Sequence, residues 1–156
     1  MPNTRHERLL VLCTHNSARS QMAEGWLKSY ARELGLRAEI HSAGTEKTRL
    51  KPEALRVMAE RGIDLSGQRS KTLLELPDPW NFDLVLTVCD AAAQSCPAYP
   101  ARTKRLHVSF PDPSGRGLDE WRRVRDALER CCALLARELA AGRLPSEDAL
   151  KNAAAI

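Results

Sequence analysis

An apolar run, Leu9-Leu10-Val11-Leu12, stops at Cys13-Thr14-His15-Asn16-Ser17-Ala18-Arg19-Ser20, and beyond it Met22, Trp26 and Tyr30 recur at helical spacing. That order predicts a strand, a short loop, and a helix that the loop opens. A loop so placed gathers backbone N–H groups at the positive end of a helix dipole, a site suited to a tetrahedral oxyanion. The same donors favour a thiolate over a thiol, so Cys13 is expected to be a reactive nucleophile near neutral pH. Arg19 adds a planar fork able to hold two oxyanion oxygens at once. The candidate cradle is therefore Thr14, His15, Asn16, Ser17, Ala18, Arg19 and Ser20, with Ser20 suited either to cap the helix or to hydrogen-bond the Cys13 sulfur. The competing use of Cys13, a small buried hydrophobe ending a strand, leaves the Arg and Ser that follow it at this spacing unexplained.

The rest of the chain alternates strands and helices. Helix one is expected from about Ser20 to Leu34, with Met22, Trp26, Tyr30 and Leu34 on its inner stripe and Gly35 ending it. Arg37–His41 reads as the second strand and Ser42-Ala43-Gly44-Thr45 as the turn leaving it. Pro52 suits the first turn of a helix that runs to Arg61, with Ala54, Leu55 and Met58 inward and Gly62 as terminator. A short helix is expected near Thr72–Leu76, then strands at Phe82–Cys89 and Arg105–Phe110, then a long helix from Leu118. Trp121, Val124, Leu128, Cys131 or Cys132, Leu135 and Leu139 mark its buried stripe, and Ala140–Ile156 reads as a frayed or weakly helical tail. The pattern implies an α/β fold in three layers, a parallel sheet covered by helices on both faces. Ligands in such sheets bind beyond the carboxyl ends of the strands, where the Cys13 loop, Cys89 and the Asp112 loop all fall.

Length and composition bound the function. At 156 residues the chain is one domain, 1–156, with its core over about 8–140 and the tail over 141–156. A net charge of +4, with basic residues interleaved with acids, and 4% aromatic residues argue against nucleic-acid binding. No apolar run is long enough for a membrane span, and the charged start Met1–Arg8 lacks a signal-peptide core, so a cytoplasmic location is expected. Five cysteines in a reducing compartment argue for reactive thiols or core packing over a disulfide framework. None is spaced C-x2-C, and adjacent Cys131 and Cys132 suit tetrahedral metal binding poorly, which argues against zinc.

Two further elements carry chemistry. Asp112 can protonate a leaving oxygen if its pKa is raised, although Pro111-Asp112-Pro113-Ser114-Gly115 is equally good turn chemistry. Cys89 ends a strand, and Cys96 follows after Asp90-Ala91-Ala92-Ala93-Gln94-Ser95, a spacer of high helix propensity. A hydrolase needs neither thiol, whereas a reductase needs both, because its two electrons leave as a disulfide. His107 within a strand reads as structural, and Cys131 and Cys132 as packing.

The C-x5-R-S pattern resembles the low-molecular-weight protein tyrosine phosphatases and the arsenate reductases that share their fold, over about Leu9–Leu139. The resemblance implies four parallel strands in order 2-1-3-4, with Asp112 as the general acid of an Asp-Pro loop. A loop cysteine followed by two cysteines seven apart is similar to the thioredoxin-coupled arsenate reductases. That implies Cys13 attack on arsenate, a Cys13–Cys89 disulfide, its transfer to Cys89–Cys96, and reduction by thioredoxin, with phosphate or sulfate as competing anions. Departures from the family's pattern are Pro111 in place of a second acid, His15 in place of Gly, and Ala18 in place of a cysteine. Asn16, Glu24, Ser42 and Asp64 match positions where some relatives hold structural potassium, and a polar network fixing the loop is the alternative; no other cofactor is expected. The competing functions are a phosphomonoesterase of the phosphatase type, for which Trp80 and Tyr99 are the aromatic candidates around the pocket, and a thiol redox sensor.

Overall fold

The computed structural model describes residues 7–156; the first six residues of the charged start lie outside them. Continuous apolar character makes β1 (Glu7–Cys13) the strand buried on both faces, and it pairs in parallel with β2 (Ala38–Gly44) and β3 (Leu84–Thr87). Leu9 stands opposite Ile40 on one side and Leu84 on the other, and β4 (Lys104–His107) adds to β3, giving the order β2-β1-β3-β4. Every strand is parallel, so their carboxyl ends lie along one edge, where the site is built.

Three strands, β2, β3 and β4, differ in their limits from the expectation. Ser42, Ala43 and Gly44 are not a turn; they pair with Val11, Leu12 and Cys13 as the last residues of β2. Their turn-like composition yields to the ladder, and the Ser42 hydroxyl is buried against partners described below. β3 and β4 are only four residues each, although bonds from Val88 N–H to Leu12 O (3.0 Å) and from Phe110 N–H to Val88 O (3.0 Å) continue the pairing loosely toward Cys89.

Helix α1 (Arg19–Leu34) buries Met22, Trp26 and Leu27 but leaves Leu34 38% exposed, so the predicted stripe ends a turn early. Gly35 at φ +68° closes α1 in the left-handed conformation that frees Leu36 N–H to bond Ala31 O (2.9 Å). Helix α2 (Pro52–Ala59) buries Ala54, Val57 and Met58; Leu55, expected inside, is partly exposed. The expected short helix is a single 3-10 turn, Leu73–Glu75, and α3 (Asp90–Ser95) lies against β1 and β3. Helix α4 (Leu118–Ala140) carries the predicted stripe, and both Cys131 and Cys132 are fully buried in it.

The tail is the clearest correction. Residues Glu147–Ala154 form a further helix, α5, started by Ser146, whose hydroxyl accepts from Ala149 N–H at 3.1 Å. Eight residues make a marginal helix in isolation. Docking supplies the rest: Leu150 and Ala154 are buried, and Arg130 of α4 donates to Ala154 O at 2.6 Å. Leu150→Ala should therefore cost about 2–5 kcal/mol in a urea melt, the usual range for emptying a buried leucine site. A melt matching the wild type would mean that α5 does not dock.

Candidate active site

Between β1 and α1 the chain turns its carbonyls outward one after another. Thr14 O accepts from Glu46 N–H (3.0 Å), His15 O from the Ser70 hydroxyl (2.7 Å), Asn16 O from Gln21 Nε2 (2.9 Å) and Ser17 O from Lys51 N–H (2.9 Å). In a planar trans peptide the N–H points opposite its carbonyl. Outward carbonyls on Thr14–Ser17 therefore turn the N–H groups of His15, Asn16, Ser17 and Ala18 to the other side. That side is a cavity of about 360 Å³ lined by Cys13, His15, Ser17, Ala18, Arg19, Thr48, Lys51, Asp112 and Ser114.

Two residues allow this path. Asn16 takes φ +51°, a left-handed conformation that asparagine tolerates. Its buried carboxamide donates to the Ser20 (2.8 Å) and Ser42 (2.9 Å) hydroxyls and accepts from Gln21 Nε2 (2.8 Å) and Lys71 N–H (3.1 Å). Gly44 is required because a Cβ there would lie 2.5 Å from Thr14 O and 2.9 Å from Asn16 N. Ser20 sits inside α1 and accepts from Asn16, so it is not the cap; Ala18 holds that position with no side-chain bond, which leaves the helix end to an incoming anion.

Arg19 crosses the cavity. Its Nη1 donates to Phe110 O (2.8 Å), its Nη2 lies 3.8 Å from Asp112 Oδ2, and its Nε is buried with no partner. A buried unpaired donor beside four inward N–H groups is a site built for an acceptor that comes and goes. Asp112 serves both sequence readings, bonding Ser114 N–H (3.0 Å) as a turn residue while facing Arg19. The raised pKa that a general acid needs is not what the geometry of the free protein gives. Burial pushes the carboxyl up, but the Ser114 bonds and the positive charges of Arg19 and Lys51 outweigh it and hold it below the usual range. Asp112 of the free protein is a carboxylate.

The sulfurs require a second correction. Cys13 Sγ donates to Cys89 Sγ across 3.6 Å, and Thr14 Oγ1 lies 3.4 Å from the same Cys89 sulfur. That bond to Cys89, followed by burial, raises Cys13 far above an ordinary thiol despite Arg19. Accepting it lowers Cys89 to about 5, against the effect of burial and with help from Thr14, the Ala92 N–H and Arg19. The pair titrates as a unit, and Thr14 and the Ala92 N–H, which face Cys89, favour negative charge on its side. Cys96 caps the far end of the intact α3, partly buried and raised by that burial. Cys131 and Cys132 lie elsewhere in the core, and burial holds both thiols up, Cys131 to about 12.

Some expected residues take other places. His15 Nε2 faces Glu46 (3.2 Å) at the cavity rim. His107 joins Asp90, the first residue of α3 (2.8 Å), to the Thr87 hydroxyl (2.8 Å), a structural tie. Trp80 and Tyr99 pack against each other with tilted rings, centroids 5.6 Å apart, and line none of the cavity. Of the proposed potassium ligands, Asn16, Glu24 and Ser42 come together, whereas Asp64 is exposed and bonds Ser66 N–H (2.9 Å). Lys28 and Lys71 face Glu24, so the donor set does not fit a metal cation. Thr48, Lys51 and Ser70 escape sequence reading because each reaches the site from a distant segment with no local pattern.

Residues 8–144 match the family described as low molecular weight phosphotyrosine protein phosphatase. An arsenate reductase of Halalkalibacterium halodurans is 47% identical over 127 residues, covering 77% of this chain and 88% of that protein. The structure of an arsenate reductase in its oxidized state superposes with a TM-score of 0.74 at 28% identity, over 85% of this chain and 98% of that one. A low molecular weight protein tyrosine phosphatase from T. tengcongensis gives 0.67 at 29% identity, over 79% and 92%. Thiolate ultraviolet absorbance should rise with a midpoint near pH 5, survive Cys96→Ser and vanish at that pH in Cys89→Ser. Because the charge appears above the pKa, acidification below it should abolish the signal. A first midpoint at the ordinary thiol value, about 8.5, would contradict the shared-proton pair.

Proposed function

The chain belongs to the low-molecular-weight phosphotyrosine protein phosphatase family, and we propose that it is an arsenate reductase working through a three-cysteine relay that thioredoxin regenerates. The observation that carries this reading is the 3.6 Å contact between the Cys13 and Cys89 sulfurs at the foot of the anion loop. Ester hydrolysis has no use for a second sulfur there, and a reductase requires one.

The protons and electrons balance as follows. Arsenate enters as its monoanion against the loop N–H groups and Arg19. Asp112 takes up a proton as the arriving negative charge offsets Arg19, and the Cys13 proton is withdrawn toward Cys89 and on to solvent. Cys13 sulfur bonds to arsenic, one oxygen leaves with its own hydrogen and the Asp112 proton, and water departs. Cys89 thiolate then attacks the Cys13 sulfur. The As–S electron pair stays on arsenic, reducing As(V) to As(III), and a Cys13–Cys89 disulfide remains as arsenite leaves. Cys96 thiolate attacks Cys89, Cys13 is freed, and a Cys89–Cys96 disulfide carries the oxidation to the reductant.

That last exchange has a geometric condition. Across an intact α3 the Cys89 and Cys96 Cα atoms lie about 10 Å apart at a rise of about 1.5 Å per residue, beyond the roughly 7 Å a disulfide spans. Six helical residues hold little helix stability of their own, so α3 unwinds and carries the new disulfide toward solvent and thioredoxin. Among the described residues no helix is long and apolar enough to cross a membrane, in keeping with a cytoplasmic role. Phosphate binds the same loop, and weak phosphatase activity is chemically consistent with it. A dedicated phosphotyrosine site would want aromatic walls, and neither Trp80 nor Tyr99 lines this cavity.

NADPH consumption with thioredoxin, thioredoxin reductase and arsenate tests the reading. The wild type should turn over repeatedly, and the Cys89→Ser, Cys96→Ser double variant should not, while it keeps any phosphate-ester hydrolysis. Sustained arsenate reduction by the double variant would sink the relay. Asp112→Asn should slow turnover by roughly 10²-fold, the usual contribution of a general acid. An unchanged rate would leave Asp112 as a turn residue only.

A further inference from the structure

Behind the anion loop lies a buried charge cluster, none of whose members lines the cavity. Glu24 of α1 has a side chain only 5% exposed, its Oε1 accepting from the Ser42 hydroxyl and its Oε2 paired with Lys28. Lys71 approaches from a distant segment, with its Nζ 4.0 Å from Glu24 Oε1 and its side chain only 12% exposed. A lysine is free to extend its ammonium into water. Here the chain prevents it at both ends. Lys71 N–H donates to Asn16 Oδ1 (3.1 Å), Lys71 O accepts from Gly44 N–H (2.9 Å), and Nζ donates to Arg69 O (3.1 Å).

These contacts connect the cluster to the loop. The Asn16 carboxamide that receives Lys71 N–H also holds Ser20 and Ser42, and Ser42 in turn donates to Glu24. One end of the network sets the left-handed Asn16 that turns the loop N–H groups inward; the other end is a buried carboxylate that needs a positive charge nearby. Lys28 supplies only part of it. Its Nζ holds Glu24 Oε2 at 2.5 Å from a side chain 45% exposed, which leaves Oε1 to the Ser42 hydroxyl and the more deeply buried Lys71. An alkali-metal ion at this place would meet the Asn16 NH2 group and two ammonium groups.

We propose that Lys71 is the built-in counter-cation of Glu24 and, through Asn16, a positioning residue for the oxyanion loop, so that this protein takes no alkali-metal ion where its relatives' pattern would place one. The role rests on the anion-loop reading but not on arsenate, so inorganic phosphate is the probe. Phosphate affinity by calorimetry and thermal melting are compared in potassium chloride and in choline chloride at equal ionic strength. The wild type should give the same affinity and the same midpoint in both salts. Lys71→Met, which keeps the stem and loses the charge, should bind phosphate at least about fivefold more weakly in choline chloride and recover in potassium chloride. If Lys71→Met does not fold, the Glu24→Gln, Lys71→Met double variant removes both charges together and should fold with no potassium response. Potassium-dependent binding or melting by the wild type would overturn the proposal. So would a Lys71→Met variant that binds phosphate equally well in both salts, or one weakened equally in both. Wild-type phosphate binding itself tests the loop, whereas the salt dependence tests Lys71.

Discussion

Four successive carbonyls, Thr14 through Ser17, are tied away from the cavity, and the chemistry of this protein depends on that restraint. Each bond adds a net of about 0.5–1.5 kcal/mol, but the consequence lies on the opposite side of each peptide. The ties come from three parts of the chain, Gln21 of α1, Glu46 and Lys51 between β2 and α2, and Ser70, so the loop is shaped by the assembled fold rather than by its own preference. Gly44 belongs to the same constraint, since β2 passes close enough to the loop backbone that a methyl group would displace it. A preorganised ring of donors needs no rearrangement when an oxyanion arrives.

The sulfur pair exploits that frame. Placing Cys89 against Cys13 gives the free protein one proton for two thiols, with Thr14 and the start of α3 favouring charge on the second sulfur. In the proposed relay this contact joins nucleophile and resolving thiol before any substrate binds. In that relay, the disulfide formed as arsenic is reduced has a short path out of the pocket. Arg19 and Asp112 balance each other across the same space, and an entering anion changes the charge seen by both. The active site is thus a set of coupled charges, and no one of its pKa values is a property of its residue alone.

Much of this was legible in the sequence, for physical reasons that vary by residue. The apolar run of β1 and the Cys-to-Arg spacing announce a strand, an anion loop and a helix because local periodicity encodes them. Cys89 and Asp112 could be placed beside Cys13 from topology alone, because parallel strands put their carboxyl ends on one edge. The misreadings share a cause. Ser42-Ala43-Gly44 has turn composition yet pairs with β1, and Glu147–Ala154 has little helix strength yet docks on α4, since tertiary contacts override local propensity. Charge states were the least legible. The protonation of Cys13, Cys89 and Asp112 is set by neighbours from three segments, and the sequence holds no period that would reveal it.

The proposed relay requires Cys13 and Cys89 to act as one reacting pair. Trapping them directly is the most searching measurement: Cys96→Ser is mixed with excess arsenate and no external thiol, the released arsenite is quantified, and the protein is mapped by peptide mass spectrometry. One arsenite per protein, with every molecule carrying a Cys13–Cys89 disulfide, is the result the 3.6 Å contact predicts. Arsenite release with Cys89 still free, or continued turnover of this variant without a disulfide, would contradict it.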